Sequence, residues 1–276
     1  MESNFQDNPC RLARKGRKPM AYASKTPDAA GRYHYSETET AVWRQLFDRQ
    51  YEFLQDHACR AFLDGLDTLG IGAKAIPQVV DVDARLGALT GAGVKGVAAL
   101  IPKDEFSTLL SERRFPVATF IRRPEHLDYI EEPDVFHEVF GHAPMLTDPD
   151  FCRFLEAFGT LALTLGEDRQ ERLFRLFWFT VEFGLIREGG RLKAFGAGIC
   201  SSPSEARHAL LGDARREPFD LMTVLRTPYR IDIVQPVYFV IDSFAQLATT
   251  LESDMAGSID AAAVMGDLPA SFDAAA

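Results

Sequence analysis

The run HEVFGH at residues 137–142 constrains the fold more than any other feature of the sequence. It resembles the zinc-protease motif H-E-x-x-H, but its two histidines are five residues apart and not four. At about 100° per residue, an unbroken α-helix would place His142 about 140° around the axis from His137. Both imidazoles can then bind one metal ion only if the helix ends near Gly141 and His142 turns back, which Gly141 and Pro144 favour.

Glu182 is the third candidate ligand. Its helical neighbours at three and four residues are all apolar: Trp178, Phe179, Leu185 and Ile186. A lone carboxylate on such a face is costly to bury unless a cation accompanies it or it takes up a proton. Two imidazoles and one carboxylate with open positions form the facial triad of non-haem iron(II) oxygenases. From the residues alone, zinc with the same ligands remains an alternative, as does a core in which buried histidines cap helix ends.

Charge and cysteine usage limit the partners of the chain. The formal net charge of −10 argues against nucleic acid or an anionic membrane surface as the main partner. No segment approaches the roughly 18–20 apolar residues of a membrane-spanning helix. The four cysteines are scattered without a C-x-x-C pair, which is typical of reduced thiols in a cytoplasmic protein.

Helical patterns dominate the sequence, so we predict a mainly α fold with a few short β-strands. Ser36 and Glu39 form a predicted capping box where the folded part begins. We expect residues 1–35 to be a disordered basic tail, residues 36–252 to be one catalytic domain, and residues 253–276 to be a flexible, acidic, alanine-rich tail.

Several segments carry more specific predictions of secondary structure. Helices are predicted at residues 133–141, 167–188 and 237–250. Short strands or extended loops are predicted at residues 97–102 and 115–123. The run GAGVKG at residues 91–96 matches G-x-G-x-x-G, but no strand precedes it and no helix opens on it. We interpret it as a turn and not as a dinucleotide site.

Five segments of this sequence resemble one enzyme family. They lie in the family's order between about residue 36 and residue 247: RRFPVATFIR, EEPDVFHEVFGHAPML, FWFTVEFGL, FGAGICSSPSE and QPVYFVIDSF. The chain resembles the pterin-dependent aromatic amino acid hydroxylases, most closely the short bacterial phenylalanine 4-hydroxylases. The resemblance implies a single catalytic domain of the aromatic amino acid hydroxylase type. Larger relatives carry a regulatory domain and a tetramerisation helix; we expect neither here, and therefore a monomer.

The resemblance also implies a role for individual residues. The implied iron ligands are His137, His142 and Glu182. The implied substrate site comprises Arg122, which would pair with the amino acid carboxylate, its support Asp134, the loop residues Gly198 and Ser201, and the ring pocket of Tyr129, Pro133 and Trp178. The implied pterin site comprises Ala99, Ile101, Phe106 and Glu138, with Phe106 stacking on the pterin.

The activity implied by the resemblance is hydroxylation of L-phenylalanine to L-tyrosine with O2, iron(II) and a tetrahydropterin such as tetrahydrobiopterin. A pterin carbinolamine dehydratase and a reductase are implied as functional partners. Ile231 favours phenylalanine over tyrosine as substrate, although Asp232 next to it would reverse that preference if the register shifted by one. The alternatives are a hydroxylase of tryptophan, a zinc hydrolase with Glu138 as general base, and a non-catalytic sensor.

Overall fold

The computed structural model describes residues 22–97, 101–128, 130 and 132–272. Within these residues the fold is mainly helical with a few short strands, as predicted. Its α-helices are α1 (Glu37–His57), α2 (Arg60–Leu69), α3 (Val79–Leu89), α4 (Lys103–Ser111), α5 (Pro149–Thr164), α6 (Glu167–Phe177), α7 (Ala197–Cys200), α8 (Pro203–Leu211), α9 (Leu221–Arg226), α10 (Phe244–Thr250) and α11 (Met255–Met265). Two π-helices (Phe136–His142 and Trp178–Glu182) and two 3₁₀ helices (Pro124–His126 and Ala143–Thr147) complete the helical part. No helix among the described residues is both long and apolar enough to cross a membrane.

Six strands form two small sheets in the described part of the chain. They are β1 (Gly93–Val97), β2 (Arg114–Ala118), β3 (Leu185–Glu188), β4 (Arg191–Ala194), β5 (Arg215–Pro218) and β6 (Val237–Ile241). β1 and β2 pair in parallel, and the second sheet has the order β4-β3-β6-β5. β6 runs parallel to both of its neighbours, and all five of its residues are buried. The second sheet begins just after Glu182, so it anchors the end of the segment that carries this residue.

Helix α1 begins as the sequence predicts. The Ser36 side chain accepts the Glu39 backbone N–H, and the Glu39 side chain accepts the Ser36 N–H. This arrangement satisfies two backbone donors that a helix start otherwise leaves without partners. Behind the cap, the apolar residues of α1 recur at helical spacing and form its buried face: Val42, Trp43, Leu46, Phe47 and Leu54. The buried Gln50 on the same face donates to the Cys200 carbonyl at 2.6 Å, which ties α1 to α7.

Phenylalanine accounts for 21 of the 276 residues, and it fills both the core and a cavity wall. Phe136 and Phe140 stack with ring centroids 4.7 Å apart, and Phe62 and Phe47 contact Phe140 edge-on. Aromatic pairs of this kind are worth roughly 0.5–1.5 kcal/mol beyond their buried area. The first π-helix is therefore held by an aromatic core on one side, which leaves its other side to face the cavity.

The two terminal segments differ from the predicted tails. Residues 1–21 and 273–276 lie outside the described residues. Residues 22–35 contact the domain: Tyr22 stacks on Phe120 at 4.7 Å, and Ser24 accepts the Thr119 N–H at 3.2 Å. The segment predicted to be a flexible C-terminal tail contains helix α11. This helix is held against α6 and α9, because Met255, Ile259 and Ala262 form a buried apolar stripe on it.

Three further segments differ from their predicted structure. Residues 237–250 form strand β6 followed by helix α10, and not the single helix that was predicted. The prediction failed because residues 237–241 are all buried and apolar, so their sequence shows no period that distinguishes a strand from a helix. The predicted helix 167–188 ends at Glu182 and gives way to β3. In the run 91–96, only Gly91 has the positive φ of a turn, 71°, and Gly93–Val97 forms strand β1.

Candidate metal and substrate site

A cavity of about 570 Å³ collects most of the residues singled out in the sequence. It is lined by eleven of the fourteen residues assigned to the iron, substrate and pterin sites: Ile101, Phe106, Arg122, Pro133, His137, Glu138, His142, Trp178, Glu182, Gly198 and Ser201. Asp134 is fully buried and bonded to Arg122. Ala99 and Tyr129 lie outside the described residues. Residues far apart in the chain therefore meet around one space large enough for small-molecule ligands.

The histidine spacing is explained by a π-helix and not by a helix end. Residues 136–142 form a π-helix in which the Ala143 N–H donates to the Glu138 carbonyl, five residues back. Because a π-turn winds more slowly than an α-turn, residues five apart lie on one side. His137 and His142 thus share a face within one π-helix. This helix ends at His142, next to Gly141 as predicted, but His142 lies within it, so the prediction that His142 turns back from the helix end is wrong.

Gly141 serves a different purpose in the structure. A Cβ at this position would lie 3.1 Å from both the Cβ and the carbonyl oxygen of Ala197. The missing side chain lets the first π-helix pack closely against α7. This close approach brings the loop after α7, with Ser201, within hydrogen-bonding distance of His137.

The third candidate ligand also lies on a π-helix. Helix α6 continues into residues 178–182, where the Phe183 N–H donates to the Trp178 carbonyl at 2.9 Å, again five residues back. Glu182 is the last residue of this turn and is 15% exposed at its side chain. A π-turn inserted into an α-helix is a common way to aim a side chain at a functional site.

The side-chain atoms of the three candidates converge. His142 Nε2 lies 3.2 Å from His137 Nε2 and 3.3 Å from Glu182 Oε1, and His137 Nε2 lies 3.5 Å from Glu182 Oε2. Donor atoms that share one ion at bonds of about 2.0–2.2 Å are about 3 Å apart when the bonds are at right angles. Two imidazole nitrogens and a carboxylate oxygen also match the donor set of a non-haem iron site. The residues therefore fit a single iron(II) ion.

A second carboxylate, Glu138, also borders this cluster. Its Oε2 lies 3.9 Å from His142 Nε2, and with the two histidines it forms a group whose candidate ligand atoms lie within 4.8 Å of one another. Burial, followed by the charges of Glu182 and Asp134, raises the pKa of Glu138 well above its usual value. Burial opposes ionisation of Glu182 as well, but the adjacent His142 and His137 outweigh it and lower its pKa. Distance and charge together favour Glu182 as the ligand.

His137 is oriented by Ser201. His137 Nδ1 and Ser201 Oγ are 2.8 Å apart. With its proton on Nδ1, the ring directs the lone pair of Nε2 towards His142 and Glu182. Burial lowers the pKa of His137 to about 4, although Glu182 opposes this shift, so the imidazole is neutral near pH 7. A neutral ring is the form that binds a metal ion.

Arg122 and Asp134 form a buried ion pair at the edge of the cavity. Asp134 is fully buried and Arg122 is 6% exposed. The Asp134 carboxylate accepts Nε and Nη2 of Arg122 at 2.8 and 2.9 Å, together with the Arg122 backbone N–H at 3.0 Å. It also accepts the His137 backbone N–H at 3.1 Å. One carboxylate therefore fixes both the guanidinium and the start of the first π-helix.

Aromatic rings form much of the remaining wall. Trp178 stacks on Tyr229 with centroids 4.6 Å apart and contacts Phe183 at the same distance. Phe106 packs edge-on against Phe177 at 5.4 Å. Sequence reasoning missed Tyr229, Phe183 and Phe177, although Phe177 and Phe183 stand in the segment that carries Trp178 and Glu182.

Comparison with known proteins shows where such a site occurs. Residues 2–261 match the family model described as biopterin-dependent aromatic amino acid hydroxylase. A phenylalanine-4-hydroxylase of Vibrio cholerae is 44% identical over 94% of this chain and 90% of its own length. The solved phenylalanine hydroxylase of Legionella pneumophila is 49% identical, with a TM-score of 0.88 over 91% of this chain and all of that one. A Chromobacterium violaceum phenylalanine hydroxylase solved with bound oxidised Fe(III) is 40% identical, with a TM-score of 0.84 over 91% of each chain.

Proposed function

The chain belongs to the biopterin-dependent aromatic amino acid hydroxylases, and from this premise we infer that it converts L-phenylalanine to L-tyrosine with O2 and a tetrahydropterin. The observation that carries this function is the convergence of His137, His142 and Glu182 within 3.2–3.5 Å of one another in an aromatic-walled cavity. Two relatives named as phenylalanine hydroxylases match this chain over nine-tenths of its length.

His137, His142 and Glu182 would hold the iron(II) as two neutral imidazoles and one carboxylate. Iron(II) and the reduced pterin, when bound, supply the activation of O2, which the side chains of the cavity cannot perform. The protein contributes ligand orientation: Ser201 fixes the ring of His137, and Asp134 fixes the start of the helix that carries both histidines.

Arg122 is the proposed anchor for the carboxylate of the amino acid. The bonds to Asp134 use Nε and Nη2, so the guanidinium plane is set before substrate binds, and its remaining N–H donors are left for a second carboxylate. Pro133 and Trp178 would enclose the substrate ring, because both line the same cavity as Arg122. Gly198 lines the same cavity. A side chain is not tolerated at this position, because a Cβ on Gly198 would lie 2.6 Å from the Phe183 ring.

Phe106, Ile101 and Glu138 are the proposed contacts of the pterin. Phe106 and Ile101 offer apolar surface to a flat ring system, and the Phe106 ring is held edge-on by Phe177 and Phe115. Glu138 would supply a polar contact to the pterin. It lines the same cavity and directly follows the proposed iron ligand His137 in the chain. This placement would put pterin and amino acid on different sides of the iron ligands.

The side chains around residues 229–234 support phenylalanine as the substrate. Ile231 lines the cavity, and the neighbouring Asp232 also reaches it but pairs with Arg230 at 2.7 Å. The charge of Asp232 is thereby balanced within the loop, and the wall offers apolar surface to an unsubstituted ring.

The cellular setting is part of the same proposal. The residues assigned to the reaction lie within residues 36–252, and the described cysteines are free thiols, as expected in the cytoplasm. We expect a monomer there, with a pterin carbinolamine dehydratase and a reductase to regenerate the cofactor. Light scattering of the purified chain tests the monomer.

A turnover assay tests the proposed function. Apo-protein reconstituted with ferrous iron is given tetrahydropterin, O2 and separately phenylalanine, tyrosine or tryptophan, and products are separated by chromatography. We expect tyrosine from phenylalanine only when both iron and pterin are present. Product from tryptophan alone would change the substrate, and peptidase activity with bound zinc would replace the proposal with a hydrolase that uses Glu138 as its base.

A further inference from the structure

A buried glutamine lies behind the ring pocket and joins two parts of its wall. Gln235 is 1% exposed, and its side-chain oxygen accepts the indole N–H of Trp178 at 3.0 Å. Its side-chain nitrogen donates to the carbonyls of Arg230 and Ile233 at 2.8 and 2.9 Å. Trp178 and Ile233 both line the cavity, so one amide connects two sides of the pocket.

The three hydrogen bonds fix which way the amide faces. Its oxygen must face Trp178, because the indole nitrogen only donates, and its NH2 group must face the two carbonyls, because they only accept. An amide is the one neutral side-chain group that offers this acceptor together with two donors. A carboxylate would keep the bond to Trp178 and oppose the carbonyls, and an apolar side chain would lose all three bonds.

The backbone of Gln235 is itself anchored from behind. Its N–H donates to Glu205 Oε1 at 3.0 Å, and the Tyr238 hydroxyl donates to the same oxygen at 2.5 Å. Glu205 and Tyr238 are both buried. Glu205 lies on α8, directly after the loop that carries Ser201. The hydrogen bond to Glu205 therefore links the backbone of Gln235 to the side of the cavity next to His137.

Trp178 depends on this contact for its position. The indole stacks on Tyr229 and contacts the tilted ring of Phe183, each with a ring centroid 4.6 Å away. Ring contacts alone leave the indole able to slide and rotate in its plane. The bond from Nε1 to Gln235 defines that rotation. Through Gln235 this bond also couples the ring to the backbone of Arg230 and Ile233.

We propose that Gln235 is a positioning residue that sets the width of the ring pocket by holding Trp178 and residues 230–233 at a fixed separation. This inference rests on the proposed function, since it assumes that the aromatic ring of the substrate binds beside Trp178. Gln235 acts on selectivity among aromatic amino acids and not on the iron ligands, because none of its hydrogen bonds reaches His137, His142 or Glu182.

The test compares Gln235→Met with Gln170→Met. Methionine keeps the length and volume of glutamine but offers no amide. Gln170 is a matched control: it is 8% exposed, and its amide donates to two backbone carbonyls at 2.9 and 3.2 Å, those of Ala162 and Leu165, outside the cavity lining. The readout is the ratio of kcat/KM for phenylalanine to that for tryptophan, which does not depend on the fraction of folded enzyme.

We expect Gln235→Met to lower this ratio about tenfold, because a ring pocket whose width is no longer fixed discriminates less between a phenyl and an indole ring. KM for phenylalanine should change more than kcat, and Gln170→Met should leave the ratio unchanged. In a Trp178→Phe background, the effect of Gln235→Met should shrink to less than about twofold. Gln235→Glu, which retains the acceptor for Trp178 but opposes the carbonyls of Arg230 and Ile233, should also lower the ratio and serves if Gln235→Met does not fold.

Three results would each overturn the proposal. The first is an unchanged kcat/KM ratio in Gln235→Met, and the second is an equal change of this ratio in Gln170→Met. The third is an effect of Gln235→Met that is as large in the Trp178→Phe background as in the wild type. The dissociation constants of phenylalanine and tryptophan, measured by calorimetry, give the same ratio without turnover. Failure of the wild type to make tyrosine would therefore reject the proposed function alone, while a binding ratio unaffected by Gln235→Met would reject the positioning role alone.

Discussion

Replacing Asp134 by asparagine removes one charge from the most deeply buried ion pair in the described structure. The carboxylate accepts four hydrogen bonds, three from Arg122 and one from the His137 backbone, and it is fully buried. Burial alone would raise the pKa of Asp134, but the Arg122 guanidinium holds it below its usual value. Asparagine has nearly the same size, so the substitution changes charge and hydrogen bonding and leaves packing intact.

The expected cost follows from what the substitution leaves behind. Arg122 is only 6% exposed and would be left without a counterion. The NH2 group of the asparagine would also face N–H groups of Arg122 or His137 that donate to the carboxylate in the wild type. Breaking a buried pair by removing one partner costs about 3–5 kcal/mol. We therefore expect Asp134→Asn to lower the free energy of unfolding by about 3–5 kcal/mol, measured by urea denaturation at constant pH. KM for phenylalanine should also rise at least tenfold, because the guanidinium plane is no longer fixed.

The chain offers a matched control in the exposed pair between Arg60 and Asp64. Their side chains are 75% and 51% exposed and lie 2.8 Å apart. Because solvent screens such a pair, Asp64→Asn should cost less than about 1 kcal/mol and leave KM unchanged. If Asp134→Asn were no more destabilising than Asp64→Asn, or if its KM matched the wild type, the reasoning about the buried pair would be refuted.

Two further predictions concern stability. Burial raises the pKa of Glu205 from 4.5 to about 7 in the folded protein, so the unfolded chain ionises first and wild-type stability falls between these pH values. Glu205→Gln removes this loss, so the free energy of unfolding of the variant minus that of the wild type should increase by about 3 kcal/mol from pH 4.5 to pH 8. Denaturation curves measured across this pH range test the prediction, and a free-energy difference that does not change with pH would contradict it. A Cβ on Gly65 would lie 2.3 Å from the Pro144 carbonyl oxygen, so Gly65→Ala should lower the melting temperature by several degrees. Gly87→Ala, on helix α3 with nothing within 4 Å, should raise it slightly, and equal shifts for both variants would show that the contact at Gly65 is unimportant.

The candidate ligands could be found from the sequence because they are a matter of chemistry. Two histidines near one glycine and a carboxylate on an apolar face favoured a shared cation, wherever the backbone placed them. Their geometry could not be found in the same way, since the sequence argument assumed 100° per residue and the structure has π-turns at both segments that carry the candidate ligands. Nothing local marks a π-turn in HEVFGH, because it is stabilised by packing against Phe62 and Ala197 from other parts of the chain.

Other elements were hidden for different reasons. Residues 237–241 are apolar throughout, and a strand buried on both faces has no alternation to reveal it. Helix α11 was hidden by its alanine-rich composition, although Met255, Ile259 and Ala262 already stood at helical spacing. Gln235 stood in a recognised segment, yet its contacts with Trp178 and Glu205 cross 57 and 30 residues of chain and only the fold brings them together.

Ferrous iron binding by Glu182→Gln and Glu138→Gln tests the central claim most directly. Both carboxylates lie next to the histidines with side chains only 15% and 12% exposed, for Glu182 and Glu138, and both variants keep the size of the side chain, so each controls for the other. The account predicts that Glu182→Gln lowers the affinity of the apo-protein for iron(II) at least a hundredfold in equilibrium titrations, while Glu138→Gln stays within severalfold of wild type. Loss of iron in Glu138→Gln with retention in Glu182→Gln, or retention in both, would contradict the assignment of His137, His142 and Glu182 as the metal site.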